Sequence, residues 1–245
     1  MVNLAAALTV ALPLYQWPLP GAWDQVYNTI EAHPLTNFDI IVNQNSGPGQ
    51  FPPSPDYTSA VAKLNTYPNV ATYGYLKINW AARPLSQTIS DVRTYAQWSS
   101  YPHADISLAG LFIDEAPWDT ADLPYMAELA TRIRKIMPPG SARIWTNPGT
   151  PVADRFYQYA DIVTAFEDTF EFWISGERPG IPDRVHERSS VMLLDYPGSK
   201  GGVRGEVEVL TRKRFHSAFL MGYEGYQAFS PTWEKFAREV DGTKL

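Results

Sequence analysis

Gly110-Leu-Phe-Ile-Asp-Glu-Ala-Pro-Trp118 is a short apolar run that ends abruptly in two adjacent carboxylates, Asp114 and Glu115, with Trp118 just beyond. An apolar run of that length bounded by turn signals reads as a parallel strand buried on both faces. Acids at its carboxyl end would sit where an α/β sheet opens into its ligand crevice. Two carboxylates side by side are costly to bury, even partly, unless something offsets them. The plainer reading is a strand-end pair that caps the next helix or binds an arginine. The rest of the chain turns the balance toward chemistry.

Apolar, β-rich runs of this kind alternate with helical patterns from end to end, with no linker, charge block or low-complexity segment between them. Strands are expected at Leu8–Tyr15, Phe38–Asn43, Val70–Ile78, Leu108–Asp114, Ala142–Asn147, Ile162–Glu167, Val191–Asp195 and Ala218–Tyr223. Helices are expected around Trp23–Ala32, Tyr57–Thr66, Leu85–Trp98, Asp122–Met137, Val152–Tyr159, Glu206–His216 and Thr232–Val240. The clearest is Asp122–Met137, where Leu123, Met126, Leu129, Ile133 and Ile136 recur at helical spacing until Pro138-Pro139 stops it. Strands alternating with helices predict parallel pairing and right-handed crossovers. Eight such units in one domain over residues 1–245 fit a (β/α)8 TIM barrel. An open doubly wound sheet is the alternative. The turn after the first strand, Gln16-Trp-Pro-Leu-Pro-Gly21, lacks the glycine pattern of a dinucleotide site.

Composition narrows the partners. With 44% hydrophobic and 19% charged residues the chain reads as an ordinary globular protein with a large core. A net charge of −6 argues against nucleic acid, which calls for a basic stripe. The absence of cysteine excludes disulfides, thiolate metal sites and Cys nucleophiles. Eight Trp and fourteen Tyr are many. Such rings line sugar sites because a pyranose offers apolar C–H faces and polar edges, although most serve as core packing. The apolar run Leu4–Leu14 has the look of a signal-peptide core without its basic flank, and is expected to be the first strand.

A barrel gathers the residues after each strand onto its working face. In order these are Tyr15 and Trp17; Asn43 and Asn45; Lys77 and Asn79; Asp114 and Glu115; Asn147; Glu167 and Asp168; Asp195 and Tyr196; Tyr223, Glu224 and Tyr226. Acids, amides and aromatic rings dominate, and histidine is absent. Ile162-Val-Thr-Ala-Phe-Glu167 repeats the pattern of the fourth strand, apolar run then carboxylate. Strands four and six stand two apart on the ring, so their ends can face each other across the mouth. Glycoside hydrolysis needs such a pair, about 5–5.5 Å apart for retention and about 6.5–9.5 Å for inversion. One member must stay protonated near neutral pH, which apolar burial or a nearby like charge favours. A Glu167 that merely pairs with Arg143 or Lys77 is the structural alternative.

Other candidates carry less. Lys77 as a Schiff-base lysine would need a desolvated pocket. His33, His103, His186 and His216 have no metal-ligand spacing, so neither metal nor cofactor is expected. Gly198–Gly205, with Lys200 and Arg204, reads as a flexible loop over the mouth, and Asp195 binds substrate or pairs with Arg204.

Leu14-Tyr-Gln-Trp-Pro18, Val42-Asn-Gln-Asn-Ser-Gly-Pro-Gly49, Gly110-Leu-Phe-Ile-Asp-Glu115 and Phe219-Leu-Met-Gly-Tyr223 together resemble the spherulin-4-like family. The resemblance implies a (β/α)8 glycoside hydrolase that cuts α-1,4 bonds between N-acetylgalactosamine units. Its fungal members act on galactosaminogalactan, an exopolysaccharide of the cell wall and biofilm matrix. It also implies an extracellular or cell-surface location, reached in family members through an anchor or signal that this chain does not show. The family's acidic residues fall on Asp114, Glu115 and Glu167. The expectation is thus an endo-acting, retaining, monomeric enzyme with a polysaccharide substrate. Glu167 is the expected acid/base, Asp114 the nucleophile or oxocarbenium stabiliser, and Glu115 the residue tuning them; which of the adjacent pair attacks stays open. Tyr15, Trp17, Trp118, Tyr196 and Tyr223 are candidate stacking rings. Asn43, Asn45, Lys77, Asn147 and Asp195 are candidate ligands for hydroxyl or acetamido groups. A non-catalytic polysaccharide-binding barrel is the rival reading.

Overall fold

The computed structural model describes residues 8–197, 202–222, 226 and 229–243. Eight parallel strands close into a barrel in sequential order, so the barrel prevails over the open sheet. They are β1 (Thr9–Leu14), β2 (Phe38–Val42), β3 (Val70–Lys77), β4 (Gly110–Asp114), β5 (Arg143–Asn147), β6 (Ile162–Thr169), β7 (Ser189–Leu194) and β8 (Ser217–Leu220). Outside run α1 (Asp24–Ala32), α2 (Pro55–Leu64), α3 (Leu85–Trp98), α4 (Leu123–Ile136), α5 (Phe170–Ser175), α6 (Gly202–Arg212) and α7 (Trp233–Gly242).

Local chemistry sets these boundaries. Ser54 caps α2 by accepting the Tyr57 N–H at 3.3 Å, with Pro55 beginning the first turn. In α4 the buried residues Met126, Leu129, Ala130 and Ile133 form one stripe, and Met137 turns extended ahead of two prolines. Gly74 faces outward from β3; a Cβ there would lie 2.7 Å from the Tyr95 ring of α3. Its absence lets the Tyr95 hydroxyl reach the Tyr75 carbonyl at 2.7 Å.

Three expectations need correction. Val152–Tyr159 forms only a short 3-10 turn at Asp154–Gln158. A helix absent from the expected set, α5, begins at Phe170 and is capped by Thr169. Residues 202–205, expected in a loop, already belong to α6; 198–201 lie outside the described residues. The barrel interior is an aromatic stack, with Trp145 edge-on to Tyr73 at 5.4 Å and to Phe112 at 5.2 Å. Among the described residues no helix is long and apolar enough to cross a membrane.

Two register features position the mouth. Lys77 pairs with Asp114, and Asp114 with Asn147, so three polar strand ends stand level. In β6 the pairing with β7 shifts between Thr164 and Phe166, which inserts one extra residue, Ala165. Thr164 faces inward, accepting the Trp145 indole N–H at 2.9 Å, while Phe166 packs outward on Phe172 and Trp173. Strict alternation would put Thr164 and Phe166 on one face and send Glu167 outward. The bulge reverses the phase and aims Glu167 at the axis.

Candidate active site

Asp114, the last residue of β4, points into the mouth, where both of its oxygens are occupied. Tyr75, two residues before Lys77 on the same face of β3, donates its hydroxyl to Oδ2 at 2.5 Å. Asn147 Nδ2 donates to Oδ1 at 2.8 Å. The same nitrogen donates to Glu167 Oε2 at 2.6 Å, and Tyr226 donates its hydroxyl to Glu167 Oε1. One amide thus uses both of its N–H groups to bridge two opposed carboxyls. Its orientation is fixed because Oδ1 of Asn147 accepts the Gly149 N–H at 3.1 Å. The facing oxygens of Asp114 and Glu167 can be no farther apart than the sum of the two bridging bonds.

Burial pushes the Glu167 carboxyl above its usual range. The hydrogen bonds from Tyr226 and Asn147 pull the other way, and the charges of Asp114 and Asp168 add to the rise. Tyr15 completes the enclosure, its ring lying 5.4 Å from Tyr75 and 5.2 Å from Tyr226. Burial raises its hydroxyl well above the ordinary tyrosine value, with Asp114 the next cause. It therefore stays neutral and keeps its proton, acting only through hydrogen bonds.

Glu115 is engaged by Lys77 rather than by this pair. It sits in the left-handed region at φ 50°, pinned because its carbonyl accepts the Trp80 N–H at 2.6 Å. The next residue, Ala116, donates its N–H to the Asn147 carbonyl at 3.0 Å. Asn79, Trp80 and Ala81 are also left-handed, so the β3 and β4 ends hold a strained stretch that non-glycine residues rarely adopt. The Glu115 carboxylate meets Lys77 Nζ at 2.7 Å through Oε1, while its Oε2 is buried with no partner among the described residues. Lys77, 40% exposed and ion-paired, lacks the desolvated pocket a Schiff-base lysine needs. Among the described residues no three His, Asp or Glu side chains converge to hold a metal ion.

Over residues 9–240 the sequence matches the family described as Spherulation-specific family 4, Spherulin4. The chain belongs to that family. Spherulin-4 of Physarum polycephalum is 30% identical over 161 residues, which are 66% of this chain and 45% of that protein. The chain thus spans about half the length of the curated relative it matches. The crystal structure of Aspergillus clavatus Sph3 in complex with GalNAc superposes with a TM-score of 0.86 at 30% identity, covering 96% of this chain and 98% of that one. Thermotoga maritima Cel5A, a mutant form in complex with cellobiose, has a TM-score of 0.52 at 11% identity over 98% of this chain and 96% of its own. At that identity the likeness to Cel5A concerns the barrel fold alone.

In this Spherulin4 chain the remaining candidates have different places. Trp17 is 43% exposed, its indole N–H held by Asp56 at 2.9 Å. Asn45 is exposed near it, whereas the Asn43 side chain closes a turn by accepting the Ser46 N–H at 2.7 Å. Trp118 stands 55% exposed at the β4 end. Asp195 is exposed with φ 49°, and Arg204 pairs with Glu208 at 2.9 Å. Tyr196 is 2% exposed and packs on Phe170 with ring centroids 4.6 Å apart, so its ring is core rather than platform. Tyr223 lies outside the described residues. Glu167 contacts neither of the cations that the structural alternative gave it. Lys77 is bound to Glu115, and the Arg143 guanidinium lies over the Tyr73 ring at 5.7 Å. Tyr75 was missed among the candidates because it lies inside a strand. Its parity with Lys77 was the available signal. Tyr226, which the sequence placed on the working face after the eighth strand without a role, is the second donor to Glu167.

Proposed function

We propose that this chain is an endo-acting glycoside hydrolase that cuts α-1,4-linked N-acetylgalactosamine in a galactosaminogalactan-type exopolysaccharide with retention of configuration. One observation carries the reading: the Asn147 bridge holds Asp114 and Glu167 within the sum of two short hydrogen bonds, at or below the roughly 5–5.5 Å spacing of retaining glycosidases. The sugar bound by the similar Sph3 structure, GalNAc, supports the substrate class.

Asp114 is the nucleophile in this reading. It lies on the axis with Tyr75 and Asn147 orienting both oxygens, whereas Glu115 is diverted to Lys77. Glu167, kept protonated to higher pH by burial, gives its proton to the glycosidic oxygen as the C1–O bond breaks and the Asp114 oxygen bonds to C1. Glu167 then takes a proton from water, whose oxygen displaces Asp114 from C1. In an α-linked N-acetylgalactosamine the acetamido group is on the same side of the ring as the leaving oxygen. It cannot displace that oxygen from behind, so a protein carboxylate has to. Tyr226 serves both states of Glu167, since a hydroxyl donates to the carboxylate and can accept from the carboxylic acid. This reading implies work outside the cell or at its surface, where such a polymer lies.

The test is incubation with galactosaminogalactan and measurement of released oligosaccharides. Release by the wild type, lost in Glu167→Gln, is the expected result. Binding of the polymer with no release would mark a binding barrel instead.

A further inference from the structure

A cleft of about 720 Å³ opens beside the mouth, between the segments that follow β1, β2 and β3. Ligand sites generally run about 300–1,000 Å³, so it has room for more than one pyranose ring. Two of its lining residues tie it to the strand ends beside the carboxyl pair. Trp17, on one wall, follows Tyr15 by two residues. Arg83, on the other, donates to the Lys77 carbonyl at 3.0 Å, and Lys77 holds Glu115.

Three features define its chemistry. The Trp17 ring is exposed yet fixed, held by Asp56 through its N–H and edge-on to Tyr57 at 5.0 Å, which makes it a stacking face with little freedom to lose. The charges in the cleft are already neutralised, Arg83 pairing with Asp91 at 2.7 Å. Oε1 of Gln44, which also lines the cleft, is buried with no hydrogen-bond partner among the described residues. A buried acceptor without a donor is costly, and a turn of the amide toward the cleft would let a sugar hydroxyl or amide N–H satisfy it.

We infer that this cleft is a chain-binding subsite that holds two consecutive neutral pyranose units of the polysaccharide beyond the ring being cut, stacked on Trp17 and hydrogen-bonded to Gln44. The inference rests on the glycosidase reading and adds the direction in which the polymer leaves the centre, across β1–β3. Tyr196, on the β7 side, is buried and offers no such face.

The test is calorimetric binding of α-1,4-linked N-acetylgalactosamine oligomers of increasing length to the cleavage-deficient Glu167→Gln protein. Affinity is expected to rise at least about tenfold from dimer to hexamer, a modest return for a stacked ring with its hydrogen bonds. Adding Trp17→Ala should abolish that rise, and Trp17→Phe should keep most of it. Gln44→Leu should reduce it and covers the case in which loss of the indole disturbs folding. Length-independent affinity, or a rise untouched by both Trp17→Ala and Gln44→Leu, overturns the subsite. A wild type that cleaves the polymer while affinity ignores length leaves the hydrolase standing without this cleft. Length-dependent binding that needs Trp17, with no cleavage by the wild type, leaves the cleft without the hydrolase. No binding of any oligomer overturns both.

Discussion

Replacing Asn147 by Ala removes the nitrogen that donates to Asp114 at 2.8 Å and to Glu167 at 2.6 Å. Hydrogen bonds to charged acceptors contribute about 1.5–3 kcal/mol each. If one carboxyl loses that much orientation in the transition state, the rate falls about 10- to 150-fold. Both bonds run through one atom and their losses are coupled, so the expected fall in kcat is about 10²–10³ rather than the full product. Asn147 gives both N–H groups to the carboxyls and keeps none for a ligand, so KM should change little. The Glu167 carboxyl, already raised by burial, loses a donor to its ionised form and rises further. The alkaline limb of kcat/KM, which reports loss of the acid's proton, should therefore move to higher pH. Steady-state kinetics on oligosaccharides across pH, with circular dichroism to verify folding, measure all three effects. A wild-type kcat with a raised KM would instead return Asn147 to the role of substrate ligand.

Three further outcomes follow from the same contacts. Tyr226→Phe removes the other donor to Glu167 and should shift the alkaline limb upward, with a smaller loss of kcat than Asn147→Ala; an unmoved limb would separate Tyr226 from the acid. Glu167→Gln should cost about 10²–10⁴ in turnover, the usual worth of a general acid, while thermal unfolding stays near wild type; near-normal turnover would remove Glu167 from the mechanism. Glu206 is raised by burial against the Trp173 indole that donates to it at 2.9 Å. A raised carboxyl favours the folded state fully only below its unfolded value, near 4.3, and loses that contribution as pH rises through the folded value. Glu206→Gln should thus raise Tm at pH 7 and leave it unchanged at pH 4, which thermal melts at both pH values would measure.

The barrel was legible because its strands are buried on both faces, so Val10–Leu14 of β1 and Ile40–Val42 of β2 read as unbroken apolar runs rather than alternating ones. The position of Asp114 was legible for the same reason, since an acid can follow such a run only where the sheet opens. The aim of Glu167 was not. It depends on the extra residue Ala165, and a bulge that reverses side-chain phase leaves no mark in apolar runs. The parting of Asp114 and Glu115 was hidden too, because it follows from a left-handed backbone at Glu115 pinned by Trp80 from the turn after β3 and, through Ala116, by Asn147 of β5. Tyr196 misled in the opposite sense. Its place after β7 suggested the mouth, but Phe170 of α5 covers its ring.

The central assertion is that Asp114 and Glu167 act as a retaining pair, and the anomeric form of the first product tests it most directly. Proton NMR of an α-1,4-linked N-acetylgalactosamine hexamer, followed from the first minutes after mixing, should show α reducing ends ahead of mutarotation, with none formed by Asp114→Asn. Initial β reducing ends, or an unchanged hexamer with the wild type, would contradict the account.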